Sequence, residues 1–122
     1  MRFIFCFSLM YFFPFFILLA NPSAHKQQLL CNTPVNLNAI SIDANTEQLL
    51  WDSVSNVTYY NVRYRAVGDA EWNSIWTNSN VVNLNNLRDA TNYEWQVQSA
   101  CTDNNASVFS QSNTFISPNN ST

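Results

Sequence analysis

The sequence predicts an all-β protein, a seven-stranded antiparallel sandwich that follows a hydrophobic N-terminal signal segment. Large apolar residues alternate with polar ones in the runs 60–64 (Tyr-x-Val-x-Tyr) and 93–97 (Tyr-x-Trp-x-Val), which is typical of strands with one buried face. Clusters of Asn, Asp and Ser separate such runs and supply turns. No stretch after Ala24 has a helical period. Short strands at this spacing favour a sandwich.

Seven segments fit this pattern, namely residues 35–42, 48–52, 59–65, 72–77, 81–84, 93–101 and 110–116. The first alternates Val35, Leu37 and Ala39 with asparagines, so these three are expected on one face. The second places Leu49 and Trp51 on one face. Both strands are therefore expected to contribute to the core.

The third strand is expected to turn Tyr60, Val62 and Tyr64 inward, with Tyr59, Asn61, Arg63 and Arg65 on the opposite face. The fourth carries Trp72 and Trp76 on one face, because they are separated by an even number of residues. The fifth is short. The sixth turns its odd-numbered residues from 93 to 101 to one face, and the seventh completes the sandwich.

The N-terminus has the features of a secretory signal peptide over residues 1–24. Arg2 precedes an apolar run from residue 3 to residue 20, and small or polar residues follow, with cleavage expected after Ala20 or Ala24. The alternative is an uncleaved anchor, in which residues 3–20 contact the membrane. Both readings place the rest of the chain outside the cytoplasm, secreted or at the cell surface. Residues 25–30 are expected to form a linker, and 118–122 a polar tail.

Cysteine usage agrees with export. Cys6 lies in the apolar run and is removed by cleavage, which leaves Cys31 and Cys101. Two remaining cysteines in an exported chain suggest one disulfide, closing a loop of about 70 residues and stabilising the fold by roughly 4 kcal/mol. The alternative is a pair of unlinked small apolar residues.

Composition argues against nucleic-acid binding and catalysis. The chain has five basic and eight acidic residues, and loss of Arg2 leaves four basic against eight, a charge of −4 without a basic stripe. The one histidine, His25, lies in the linker, so no nucleophile–base pair is expected. The carboxylates are scattered and no Cys-x-x-Cys pair occurs. We therefore expect no enzyme activity, no catalytic residue, no metal site and no cofactor.

Residues 31–117 resemble a fibronectin type III domain, a member of the immunoglobulin-like sandwiches. The resemblance rests on Pro34 before the first strand, on the run 84–87 (Leu-Asn-Asn-Leu) and on the aromatic positions of the second, third, fourth and sixth strands. It implies a tyrosine corner and core built from Trp51, Tyr60, Tyr64, Leu87, Tyr93 and Trp95. The Tyr93 hydroxyl is expected to bond to the backbone near Leu87.

The same resemblance places Cys31 and Cys101 at one pole of the sandwich, as in the variant of bacterial exported proteins. Two departures from the family pattern concern the tyrosine corner, where Asn86 and Ala90 replace the usual glycines. Alanine adopts left-handed backbone poorly, so the turn at Ala90 is expected to differ from the usual form.

Candidate binding residues are exposed aromatics and loop polar groups, namely Trp72, Trp76, Asn56, Asn78, Asp103, Asn104 and Asn105. The two tryptophans could stack on sugar rings or dock against a protein, although Trp72 could instead pack on the sheet or on an arginine stem. The main hypothesis is a non-catalytic extracellular module for protein or polysaccharide contact, adhesion or spacing. The alternatives are a detached accessory domain of a secreted hydrolase and a membrane-tethered receptor-like stub.

Overall fold

The computed structural model describes residues 30–102 and 104–119, which form two packed antiparallel sheets. The strands are β1 Asn38–Asp43, β2 Thr46–Leu50, β3 Val57–Ala66, β4 Asn73–Thr77, β5 Val81–Leu84, β6 Asn92–Cys101 and β7 Asn113–Ile116. One sheet has the order β1-β2-β5 and the other β4-β3-β6-β7. The predicted seven-stranded sandwich is confirmed. None of the described residues forms a helix with the length and apolar character of a membrane span.

The core consists of the inward-facing residues of both sheets, as the alternation predicts. Trp51, just after β2, lies between the rings of Tyr60 and Trp95, with ring centroids 5.1 and 6.2 Å away. The Tyr93 ring stacks on Phe115 at 5.5 Å. Burial, and then the neighbouring Tyr93, raise the pKa of the Tyr64 hydroxyl. Each large apolar side chain buried here stabilises the fold by roughly 1.5–3 kcal/mol.

β1 and β7 begin three residues later than the alternation predicts. Asn36 has a φ of 56°, which interrupts the extended backbone, and Val35 is exposed rather than on the core face with Leu37. Before β7, the buried hydroxyls of Ser107 and Ser110 accept hydrogen bonds from the N–H groups of Ser99 and Val97, both 3.0 Å. Side-chain oxygens thus take the place of strand carbonyls along this part of β6.

The tyrosine corner joins the two sheets at one pole. The Arg88 N–H donates a hydrogen bond of 2.9 Å to the Tyr93 hydroxyl, one residue after Leu87. Ser117 links this loop to the end of β7, because its N–H donates to the Thr91 carbonyl and its hydroxyl accepts from the Thr91 N–H, both 2.9 Å.

Ala90 keeps left-handed backbone, with a φ of 44°, and Asn86 has a φ of 58°. The expectation that alanine would force a different conformation at this turn is therefore wrong at Ala90. The turn is held from both sides, since the Ala90 N–H donates to the Pro118 carbonyl and Thr91 is bonded to Ser117. These bonds offset the steric cost of the alanine side chain.

A disulfide joins Cys31 to Cys101 at the opposite pole, with Cα atoms 5.8 Å apart. It ties the segment before β1 to the end of β6. Three connections meet at this pole: β2 to β3, β4 to β5, and the segment after β6. Asn80 holds two of them together, because its side-chain amide donates to the Trp51 carbonyl at 2.8 Å.

The predicted signal peptide at residues 1–24, most of the linker at 25–30 and the end of the polar tail at 118–122 lie outside the described residues. His25, Lys26 and Asp103 lie outside them too.

Candidate contact surface on the four-stranded sheet

The outer face of the sheet β4-β3-β6-β7 carries the candidate aromatic residues. The register pairs Asn61 with Trp76 and Arg63 with Ser74, so these side chains share the face that points away from the core. Tyr59 has the same parity on β3. The outer surface around Tyr59, Arg63, Trp72 and Trp76 is called the contact face below.

Trp72 is half-buried because two arginines cover it. The guanidinium carbon of Arg65 lies 4.1 Å from the centroid of the Trp72 ring, and that of Arg63 lies 4.6 Å away. Arg63 also lies 3.7 Å from the ring of Phe109, so its guanidinium is held between two aromatic rings. Trp72 therefore packs on arginine side chains, the alternative that the sequence left open.

Hydrogen bonds fix both arginines in these positions. Arg65 Nε donates to a carboxylate oxygen of Glu94 at 2.7 Å, and Arg63 Nε donates to the side-chain oxygen of Gln96 at 2.8 Å. Gln96 in turn donates to the Ser112 hydroxyl at 2.8 Å. The stack of rings and arginines is consequently rigid, and it supports the exposed part of the contact face.

Trp76 and Tyr59 are the exposed aromatic pair of this face. Trp76 is 61% exposed and Tyr59 is 52% exposed. Because Asn61 stands opposite Trp76, Tyr59 is the diagonal neighbour of Trp76, and such Cα atoms lie about 7–8 Å apart. Tyr59 was absent from the predicted binding residues. Tyr59 is separated from Arg63 by an even number of positions, so the alternation predicts that it lies on the outer face. The alternation does not show which residues of that face are covered by neighbouring side chains.

The predicted loop residues lie at the pole that the disulfide closes. Asn56 and Asn104 are exposed and have positive φ, at 63° and 57°. Asn78 follows Trp76 by two residues, which places it beside the contact face, whereas Asn105 lies just after the end of β6. Asp103 lies outside the described residues. Of the predicted candidates, Trp76 and Asn78 are thus close together.

The chemistry of this surface suits contact with a flat partner. The described cavities lie elsewhere: one of about 360 Å³ lies between the segment before β1 and the segment before β7, and another of about 460 Å³ lies beside Asp52. In the part of the chain that the structure describes, no three His, Cys, Asp or Glu side chains lie together as a metal site requires. The contact face offers exposed rings, amides and two fixed arginines, of which Arg65 is paired with Glu94.

Comparison with known proteins gives a family and a fold. The sequence profile of the fibronectin type III domain matches residues 32–115. No curated protein matches the chain. Similar solved structures include a fibronectin type III domain of the human collagen alpha-1(XX) chain, at 22% identity, with a TM-score of 0.68 and coverage of 77% of this chain and 91% of that one.

Two further structures are similar at the same level. One is described as a myokine structure, at 22% identity and a TM-score of 0.64, covering 72% of this chain and 98% of that one. The other is a fibronectin type III domain of human contactin 1, at 21% identity and a TM-score of 0.64, covering 73% of this chain and 79% of that one. At these identities the likeness concerns the fold alone.

Proposed function

Because the chain belongs to the fibronectin type III family, we propose that it is a contact module that works outside the cytoplasm and binds its partner through the contact face. Domains of this family are generally non-catalytic binding or spacer modules. The disulfide supports the extracytoplasmic location, because such bonds persist in oxidising compartments. The hydrophobic segment at residues 3–20 supports it from the sequence.

The observation that carries the proposal is the exposure of Trp76 next to Tyr59 on a rigid sheet. Tryptophan and tyrosine present large flat apolar areas and lose little conformational entropy on binding, so they dominate many contact surfaces. Because Trp76 is 61% exposed, it stabilises the fold much less than the buried tryptophans of the core do. Strand β4 and the two arginines that cover Trp72 hold this surface in place before a partner binds, which lowers the entropic cost of binding.

Photocrosslinking in the producing cells tests this function. The photoreactive p-benzoylphenylalanine would replace Trp76 in the full chain, and in a second protein it would replace Ile42, which is 53% exposed on the other sheet. Adducts at position 76, with few at position 42, are expected. A mass increase that polysaccharide-degrading enzymes remove indicates a polysaccharide partner, and one that they leave intact indicates a protein partner.

Equal labelling at positions 76 and 42 would show that the contact face has no preferred partner. The same conclusion follows if neither position forms an adduct while the chain is folded and exported. The family's other use, as a spacer between other parts of a protein, would then be the better description.

A further inference from the structure

Charge is distributed unequally between the two sheets. The strands of the four-stranded sheet carry Arg63, Arg65 and Glu94, a net charge of +1, whereas the strands of the three-stranded sheet carry Asp43 and Glu47 and no base. The whole chain has a formal charge of −3. The strands that form the contact face thus carry one excess positive charge in an otherwise acidic protein.

Arg63 is the source of this excess positive charge. Of the three described cations, Arg65 pairs with Glu94 and Arg88 pairs with Asp69. Within residues 30–102 and 104–119, no carboxylate pairs with Arg63. Its Nε and Nη2 donate to a neutral amide, that of Gln96, and its faces contact the rings of Trp72 and Phe109.

A guanidinium held in this way is preorganised to bind an anion. The two rings and Gln96 fix its orientation, so little side-chain entropy is lost when a carboxylate arrives. The donors of the guanidinium exceed the bonds that Gln96 accepts, since arginine carries five N–H groups. A charge that is partly removed from water also binds its counterion more strongly than a fully solvated charge does.

We propose that the contact face binds a polysaccharide that carries carboxylates, such as a polyuronate, with sugar rings on Tyr59 and Trp76 and a carboxylate on Arg63. The inference rests on the proposed function and specifies its partner. A uronic acid residue combines a flat ring with apolar C–H groups and a carboxylate in one unit. A polymer of such units can lie along an open sheet face and does not require a pocket.

Calorimetric titration of the purified protein with three polymers tests the inference. Polygalacturonate offers rings and charge, its fully methyl-esterified form offers the same rings without charge, and polyglutamate offers charge without rings. Polygalacturonate is expected to bind at least roughly tenfold more tightly than its ester, since a charge-assisted hydrogen bond contributes about 1.5–3 kcal/mol. It should also bind more tightly than polyglutamate, because polyglutamate has no rings to pack on Tyr59 and Trp76.

Four variants separate charge from packing. Arg63→Met keeps an apolar stem over Trp72 and removes the charge, so it should reduce the preference for polygalacturonate over its ester to near unity. Arg63→Lys should keep part of this preference. Trp76→Ser should weaken binding of both galacturonate polymers, and Ile42→Ser should weaken neither. Thermal unfolding of each variant verifies the fold.

The outcomes distinguish the inference from the proposed function. Equal binding of polygalacturonate and its ester would overturn the role of Arg63, while the aromatic contact would stand. Equal binding of polyglutamate and polygalacturonate would show a charge contact and favour an acidic protein partner. If none of the polymers binds but position 76 still forms adducts in cells, the polyuronate inference is overturned and the contact function remains.

Discussion

Asparagine occupies most of the left-handed backbone positions in the described part of the chain. Five non-glycine residues there have positive φ, namely Asn36, Asn56, Asn86, Ala90 and Asn104. Asparagine tolerates this conformation better than most residues because its short amide can form local hydrogen bonds. The whole sequence contains one glycine. Asparagine therefore serves at turns where glycine is the more common choice, which gives part of the asparagine content a structural reason.

Ala90 is the exception, and its replacement by glycine should stabilise the protein. Left-handed backbone costs an alanine roughly 1–2 kcal/mol, and the greater freedom of glycine in the unfolded chain offsets roughly 0.5–1 kcal/mol of the gain. Ala90→Gly is thus expected to raise the free energy of unfolding by up to about 1 kcal/mol, measured by urea denaturation. Ala90 is exposed, so no packing is lost.

The matched control is Ala70→Gly, at an exposed loop alanine outside the set with positive φ. It should leave stability unchanged or lower it slightly. A loss of stability in Ala90→Gly equal to that of the control would contradict the idea that this turn is strained.

Among the strands, β6 has the most unusual edge, because serine hydroxyls replace carbonyls as acceptors along it. Ser110→Ala should lower the free energy of unfolding by about 1–3 kcal/mol, since it leaves the buried Val97 N–H without its acceptor. Chemical denaturation measures this loss.

Ser99→Ala is the control, because Ser99 is fully buried on β6 and, within the described residues, its hydroxyl has no hydrogen-bond partner. Removal of the Ser99 hydroxyl should lower the free energy of unfolding by less than about 1 kcal/mol. If both variants lost the same stability, the effect would come from packing and not from the hydroxyl of Ser110.

Alternation predicted the strands well where the backbone is regular. The bounds of β5 match at both ends, and those of β6 differ by one residue. The starts of β1 and β7 could not be predicted in this way. A residue with left-handed backbone, such as Asn36, turns the side chains before it to a different face. The pattern of apolar and polar residues in the sequence does not show this change. A serine that caps a strand edge has the same sequence pattern as a serine within a strand.

At the scale of the whole molecule, the disulfide is the main covalent constraint. Removal of the bond in the double variant Cys31→Ala/Cys101→Ala should lower the free energy of unfolding by about 4 kcal/mol, because the cysteines are 70 residues apart and the closed loop restricts the unfolded chain. Denaturation in urea measures the difference.

Wild-type protein treated with reductant supplies an independent comparison. Reduction should lower the free energy of unfolding of the wild-type protein by the same amount as the double substitution does. A difference below about 1 kcal/mol between oxidised and reduced protein would contradict a large contribution from loop closure.

The contact face needed the assembled molecule to be recognised. Parity alone placed Trp72 and Trp76 on one face, and it could not decide whether Trp72 is exposed or packs on the sheet or on an arginine stem. Only the three-dimensional structure brings Arg63 from β3 and Phe109 from the segment after β6 onto the same stack. The charge excess of this sheet was readable from the sequence, but the lack of a carboxylate partner for Arg63 among the described residues was not.

The position of the disulfide also determines how the domain responds to tension. The segment at Cys31 enters at one pole and Ser117 leaves at the other, beside Thr91. A force applied to both ends would pass from Cys31 through the sulfur bridge into Cys101, and then along the segment after β6 into β7. The residues between the two cysteines, 32–100, would carry no load. Stretching could therefore extend only the short stretch from Cys101 to Ser117, and six of the seven strands, β1 to β6, would stay inside the covalent bypass even in a fully extended chain.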